Sequence, residues 1–197
     1  MSVGWARIGR ERGRSSRFSG LALGCVALLA LTGCALGGGN GSGGAGGQTL
    51  SSLPWCAQPQ FNFVDSSSSS QKAITSWDQV KGQLGFTPYL PPSLPKGSCL
   101  DLLGGAIHDP IFGGHLSVTW VLPNVGPISF SEAPAHGAAA SAPQCPQSGQ
   151  SSDATTICIG VVGGTNVTVA AHLTQSQLTA YFNQLQPATD WQPAPAS

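Results

Sequence analysis

Residues 115–130 read HLSVTWVLPNVGPISF. Leu116, Val118, Trp120 and Leu122 alternate with Ser117, Thr119 and Val121, the two-residue period of a strand with one buried face. Pro123-Asn124-Val125-Gly126 is a turn signal, and Ile128 and Phe130 continue the alternation in a returning strand. An antiparallel hairpin is therefore expected at the centre of the chain. Cys99 to Ile107 is a further strand before it, with an alternation blurred by Gly104 and Gly105.

A second hairpin is centred on Gly163-Gly164. A two-residue turn would place Val162 opposite Thr165 and Ile159 opposite Thr168. A three-residue loop that includes Thr165 pairs Val161 with Val167, Ile159 with Val169 and Ile157 with Ala171, which gives one wholly apolar face. Because register follows burial, the three-residue loop is expected, with glycine at a positive-φ position.

Helical spacing flanks these strands. Ile74, Trp77, Val80, Lys81 and Leu84 recur at three and four, Ser76 and Gln79 can form a capping box, and Gly82 and Gly85 keep the helix short. Thr174 and Gln177 repeat the capping pattern ahead of Leu178, Tyr181, Phe182 and Leu185, and Pro187 ends that helix. Consecutive strands without helical crossovers predict an α+β domain over residues 55–187: one antiparallel sheet of about five strands with an N-terminal and a C-terminal helix on one face. Residues 188–197 read as a disordered tail, and a Pro/Ala-rich insertion spans 133–152.

LGFTPYLPPSLPKGSCL (84–100), the alternating strands, GPISFSEAP (126–134), GTNVTVAA (164–171) and the final short helix are similar to a bacterial domain family of unknown function. That family occurs in the extracytoplasmic parts of membrane-anchored and anti-sigma-like proteins. The resemblance covers residues 74–186 and bears on fold and location, since the family has no established activity. The insertion carrying Cys145 departs from it.

The N-terminus carries an address. Arg7, Arg10, Arg12, Arg14 and Arg17 precede an apolar run from Leu21 to Leu31, the layout of a secretory signal, and the run is too short for a spanning helix, which needs about 20 residues. Leu31-Thr32-Gly33-Cys34 resembles the lipobox of bacterial lipoprotein precursors. The resemblance implies that Cys34 is diacylated on sulfur and that a peptidase cuts just before it. Residues 1–33 are then the signal peptide, and 34–54 are the lipidated cysteine with a glycine-rich flexible tether. Cys25 leaves with the signal. The expected location is the extracytoplasmic face of the cell membrane, with membrane lipid as a partner through acylated Cys34.

Beyond the signal the chain has Lys72, Lys81 and Lys96 against seven carboxylates, a net of −4. No basic patch remains to hold a phosphate backbone, so nucleic acid is not an expected partner. Cys56, Cys99, Cys145 and Cys158 permit three pairings, and an oxidising compartment favours disulfides over thiols. The preferred pairing is Cys56–Cys99 and Cys145–Cys158. Their spacings contain no C-x-x-C, so zinc is the lesser reading.

His108 and His115 flank the loop DPIFGG, where two imidazoles can approach across a hairpin. They are the candidate ligands for the competing reading, a metal-assisted hydrolase, although no third group is placed by the sequence. His136 and His172 have no partner in sequence. There is no G-x-S-x-G elbow and no recognisable carboxylate pair among Asp101, Asp109, Glu132 and Asp153. Without a phosphate-binding or dinucleotide glycine pattern, no cofactor is expected. Trp55, Phe61, Phe63 and Trp191 are expected to pack over the sheet, with contact to a ligand or partner as the rival role. The leading expectation is a non-enzymatic binding or sensing module of the envelope, partnered by an envelope protein or a small ligand.

Overall fold

The computed structural model describes residues 47–67, 70–137, 139–146 and 155–195. The signal segment, the lipobox with Cys34, the tether up to residue 46 and Asp153 lie outside the described residues. The strands are β1 (Gln48–Thr49), β2 (Phe61–Asp65), β3 (Lys72–Ile74), β4 (Tyr89–Leu90), β5 (Ser93–Leu94), β6 (Cys99–Asp109), β7 (Gly113–Leu122), β8 (Gly126–Pro134), β9 (Ser141–Gln144), β10 (Thr156–Val162), β11 (Thr165–Ala171) and β12 (Gln186–Pro187). The helices are α1 (Trp77–Val80) and α2 (Gln175–Asn183). Eight strands form one sheet in the order β3-β2-β6-β7-β8-β11-β10-β9. All neighbours are antiparallel except β2, which runs parallel to β6.

The expected α+β domain with a five-stranded antiparallel sheet is thus corrected to a mostly-β fold with an eight-stranded mixed sheet. Two misread segments account for the difference. Ile74, which falls in the three-and-four spacing of the expected helix, ends strand β3 and pairs with Phe63. The helix after it is a single turn, in which Ser76 makes no side-chain cap, and the chain turns away over residues 81–86. The Pro/Gln-rich approach hides β2, whose Phe63 lies opposite Gly105 in the parallel register. The blurred alternation of β6 results from this contact, since the Phe63 ring lies over a residue with no side chain.

Leu116, Val118, Trp120 and Leu122 all face inward, as their alternation requires, and Ile128 and Phe130 pack beside them. The turn between them is the three residues Pro123–Val125, with Leu122 opposite Gly126. The outer face carries small hydroxylated residues: Ser117 lies opposite Ser131, and Thr119 bonds Ser129 at 3.0 Å. Such one-sided burial is open to antiparallel neighbours because both strand faces need not be covered.

The second hairpin takes the other register. Its turn has two residues, Gly163 and Gly164, with φ of 54° and 85°, so that Val162 faces Thr165, Ile159 faces Thr168 and Cys158 faces Val169. A two-residue hairpin turn of this kind needs positive φ at both positions. The apolar count over 157–161 misleads because the inner positions belong to Cys158, held by a disulfide, and to Gly160. Ile159 is left 51% exposed on the outer face. Gly160 lies directly under Phe182 of α2, and a Cβ there would meet the ring at 2.8 Å. Gly160→Ala is therefore expected to cost about 1–3 kcal/mol by overpacking, seen as a lower midpoint in thermal unfolding.

Helix α2 carries the expected capping box: Gln177 N–H donates to Thr174 Oγ1 at 3.3 Å and Thr174 N–H to Gln177 Oε1 at 3.0 Å. It buries Leu178 and Phe182 and ends at Asn183, before Pro187, which instead pairs with Tyr89 in β12. The boundaries of the domain also move. Leu50 and Leu53 are buried, and Gln48 pairs with Leu94, so the fold begins at least as early as residue 47 rather than at 55. The expected disordered tail is likewise corrected for its first residues. Trp191 is buried against Trp77 and Trp120, with ring centroids 5.1 and 6.1 Å away. Both edges of the large sheet are short: three residues in β3, beginning with Lys72, and four in β9, which contains Pro143.

Candidate functional site

Two disulfides are present, Cys56–Cys99 and Cys145–Cys158, the pairing preferred from the sequence. The first fastens the N-terminal approach to the start of β6, where Trp55 bridges Leu100, and Cys56 N–H and Leu100 N–H donate backbone bonds of 2.8 Å to the carbonyls of Leu100 and Pro54. The second joins β10 to the end of β9, beneath α2, where Cys145 Sγ lies 3.2 Å from Thr179 Oγ1. All four cysteines expected to remain after lipidation are consumed, while Cys34 is outside the described residues.

The two flanking histidines take different partners. His108 occupies a bulge in β6 and has a φ of 54°, an uncommon conformation for a residue with a side chain. Its Nδ1 is 3.1 Å from Asp65 Oδ1 at the end of β2, an ion pair when the imidazole is protonated. That same oxygen accepts the Ser67 backbone N–H at 2.9 Å. The Ser67 N–H, then its hydroxyl and His108, hold the Asp65 carboxyl below its ordinary value. His115 lies on β7 opposite Ala106. Among the described residues, no group of three or more His, Cys, Asp or Glu side chains is arranged to hold a metal ion. His136 and His172 are both exposed.

Asp109 organises the loop between β6 and β7. Its Oδ1 accepts the N–H groups of Ile111 and Phe112, both at 2.8 Å, and these two bonds, Phe112 first, lower its carboxyl below the ordinary range. Pro110 restricts the same turn. The result is a stiff tip on which Ile111 is 73% and Phe112 53% exposed. Two large apolar side chains at the end of the longest hairpin gain nothing from the protein's own core.

Among the described residues, the most unusual titratable group is Glu132, which in the sequence is only an unpaired carboxylate. It lies on β8 between Leu116 and Val167 and is 1% exposed. Oε2 accepts the Tyr89 N–H at 2.9 Å, whereas Oε1 has no partner. Burial lifts the carboxyl to about 8, against the lowering effect of the Tyr89 bond. Nearby, Thr165 Oγ1 donates to the Thr87 carbonyl at 2.8 Å. These two buried polar side chains tie down the proline-rigid segment 87–95 as it crosses the inner face. Its prolines offer no N–H, so the Tyr89 amide needs an acceptor from the sheet. The signal for Glu132 is its parity: it falls two and four residues after Phe130 and Ile128, on the buried side of the strand.

Compared with known proteins, the chain matches no family model and no curated protein. Among the described residues, no helix is long and apolar enough to cross a membrane.

Proposed function

We propose that this chain is a lipid-anchored binding module on the extracytoplasmic face of the cell membrane. The anchor is Cys34, acylated within the Leu31-Thr32-Gly33-Cys34 motif, and the partner is a protein of the envelope. Two disulfides support an oxidising environment. The observation that carries the binding half is the tip of the β6–β7 hairpin. Ile111 and Phe112 are presented to solvent on a loop that Asp109 holds rigid, so a partner covering them meets little ordering cost.

Mass spectrometry and fractionation test the anchor. The mature chain is expected to begin at Cys34, to carry acyl mass and to partition with membranes, and Cys34→Ala is expected to abolish all three. A full-length, unmodified chain in the cell interior would sink the proposal. For the tip, the Ile111→Ser, Phe112→Ser double variant is expected to keep its unfolding midpoint, since both side chains are exposed, while cross-linking to the envelope partner falls sharply. Unchanged cross-linking would move the contact elsewhere.

A further inference from the structure

The last described residues are spaced by proline, Gln192-Pro193-Ala194-Pro195, and they run along a wall that includes Trp55, Phe61 and Trp77. Proline fixes φ near −65° and lacks an N–H, so such a segment is stiff and presents acceptors more readily than donors. The wall supplies the donors. Trp77 Nε1–H donates to the Trp191 carbonyl at 3.1 Å, and Trp55 Nε1–H donates to the Ala194 carbonyl at 2.9 Å. These carbonyls are three residues apart, the repeat of a polyproline II helix. Aromatic-lined grooves are a general solution for docking such segments, because the rings pack against prolines already held in the bound conformation.

The tail does not fill its site. Pro193 and Ala194 are half-buried, Pro195 is exposed, and the Gln192 N–H makes only a 3.4 Å bond to Ser51 Oγ. A groove of about 300 Å³ stays open between this tail and the wall of Trp55, Pro59, Phe61 and Asp78. Trp191, by contrast, is buried in the core and fixes where the tail leaves it.

We infer that this groove binds proline-rich polypeptide segments in the polyproline II conformation, and that residues 193–195 are its built-in occupant, displaced by a longer external segment. The inference deepens the binding reading above and rests on it for the existence of a polypeptide partner; the lipid anchor plays no part. An incoming segment takes over the Trp55 N–H and places proline rings in the space the tail leaves open. Trp191 and its bond to Trp77 stay in place. The tail thus competes with any segment that enters this groove, and its release sets the apparent affinity there.

The probe is a synthetic peptide of alternating proline and alanine, with a glycine-serine peptide of equal length as control. Both are titrated into the full chain and into the full chain carrying Pro193→Gly and Pro195→Gly, which loosens the tail. Nuclear magnetic resonance reads the Trp55 indole N–H. That signal is expected to move with the proline peptide and not with the control, and the loosened chain is expected to bind about fivefold tighter or more. In the loosened chain, Trp55→Phe keeps an aromatic ring, removes the donor and is expected to weaken binding about three- to tenfold. A Trp55 signal that stays still at millimolar peptide, an equal response to glycine-serine, or equal affinity with the tail intact and loosened would each overturn the inference. The first two readings use the unsubstituted chain, so they stand even where Trp55→Phe folds poorly. A membrane-anchored chain that ignores the peptide defeats the groove alone, whereas a cytosolic chain that binds it defeats the anchor alone.

Discussion

Glu132→Gln is expected to make the chain less stable than the parent at pH 5 and more stable at pH 9, so that the two stability curves cross. In the folded protein, burial raises this carboxyl to about 8, whereas the unfolded chain titrates it near its ordinary 4.5. Between those values the folded state holds a proton that the unfolded state has released. Stability is therefore fully present below pH 4.5 and falls as pH rises toward 8, by about 1.4 kcal/mol per unit, before levelling off. Glutamine keeps an oxygen for the Tyr89 N–H but cannot ionise, which removes the slope. Its amide hydrogens lack the partner that Oε1 also lacks, so a cost of about 1–3 kcal/mol is expected in acid. Denaturant unfolding at pH 5, 7 and 9 reads both effects, and parallel curves would show that Glu132 is not the titrating group. Asp65 and Asp109 act in the opposite direction. Their lowered carboxyls stabilise above pH 3.8, and that contribution fades as pH falls through their folded values.

Replacing Cys56 and Cys99 together by serine is expected to cost about 4 kcal/mol, the larger of the two disulfide losses. The bridge closes 43 residues of sequence, against 13 for Cys145–Cys158, where about 3 kcal/mol is expected from the same chain-entropy argument. Such losses are a large part of the stability of an ordinary domain. The bridge also fixes the one parallel pairing in the sheet, because the chain runs from Cys56 almost directly into β2 beside β6. The local bonds between Pro54, Cys56 and Leu100 remain in the variant, so the loss is expected in the unfolding free energy rather than as a change of topology. A loss below about 1 kcal/mol would show that the unfolded chain already keeps these segments together.

The strand pair of residues 115–130 was plain in the sequence, because every second residue there is large and apolar and nothing competes with that pattern. The capping box at Thr174 was equally legible, since its chemistry is local. The failures share a cause in tertiary context. Strand β2 depends on a parallel partner distant in the sequence, and its Phe63 contacts a glycine that carries no pattern of its own. Helix α1 is shorter than its spacing suggests, because three- and four-residue spacing also arises when Ile74 belongs to a strand and Trp77 to the next turn. The Gly163–Gly164 register departs from the apolar pattern because a cysteine and a glycine, rather than isoleucines, occupy the inner face. At the candidate sites, the loop around Ile111 and Phe112 was visible but its stiffness was not, since that depends on where the Asp109 carboxylate turns. The groove at Trp55 was hidden in a tail whose composition suggests nothing to bury, yet whose tryptophan is buried.

The margins of the large sheet have a further consequence. Open strands invite pairing with another molecule of the same kind, and that route leads to fibril growth. Here one margin offers only three residues headed by Lys72, and the other only four interrupted by Pro143, which has no amide hydrogen to give. Among the described residues, the eight strands therefore stand side by side with margins that give a neighbouring copy few backbone groups to pair with, which disfavours self-association by sheet extension.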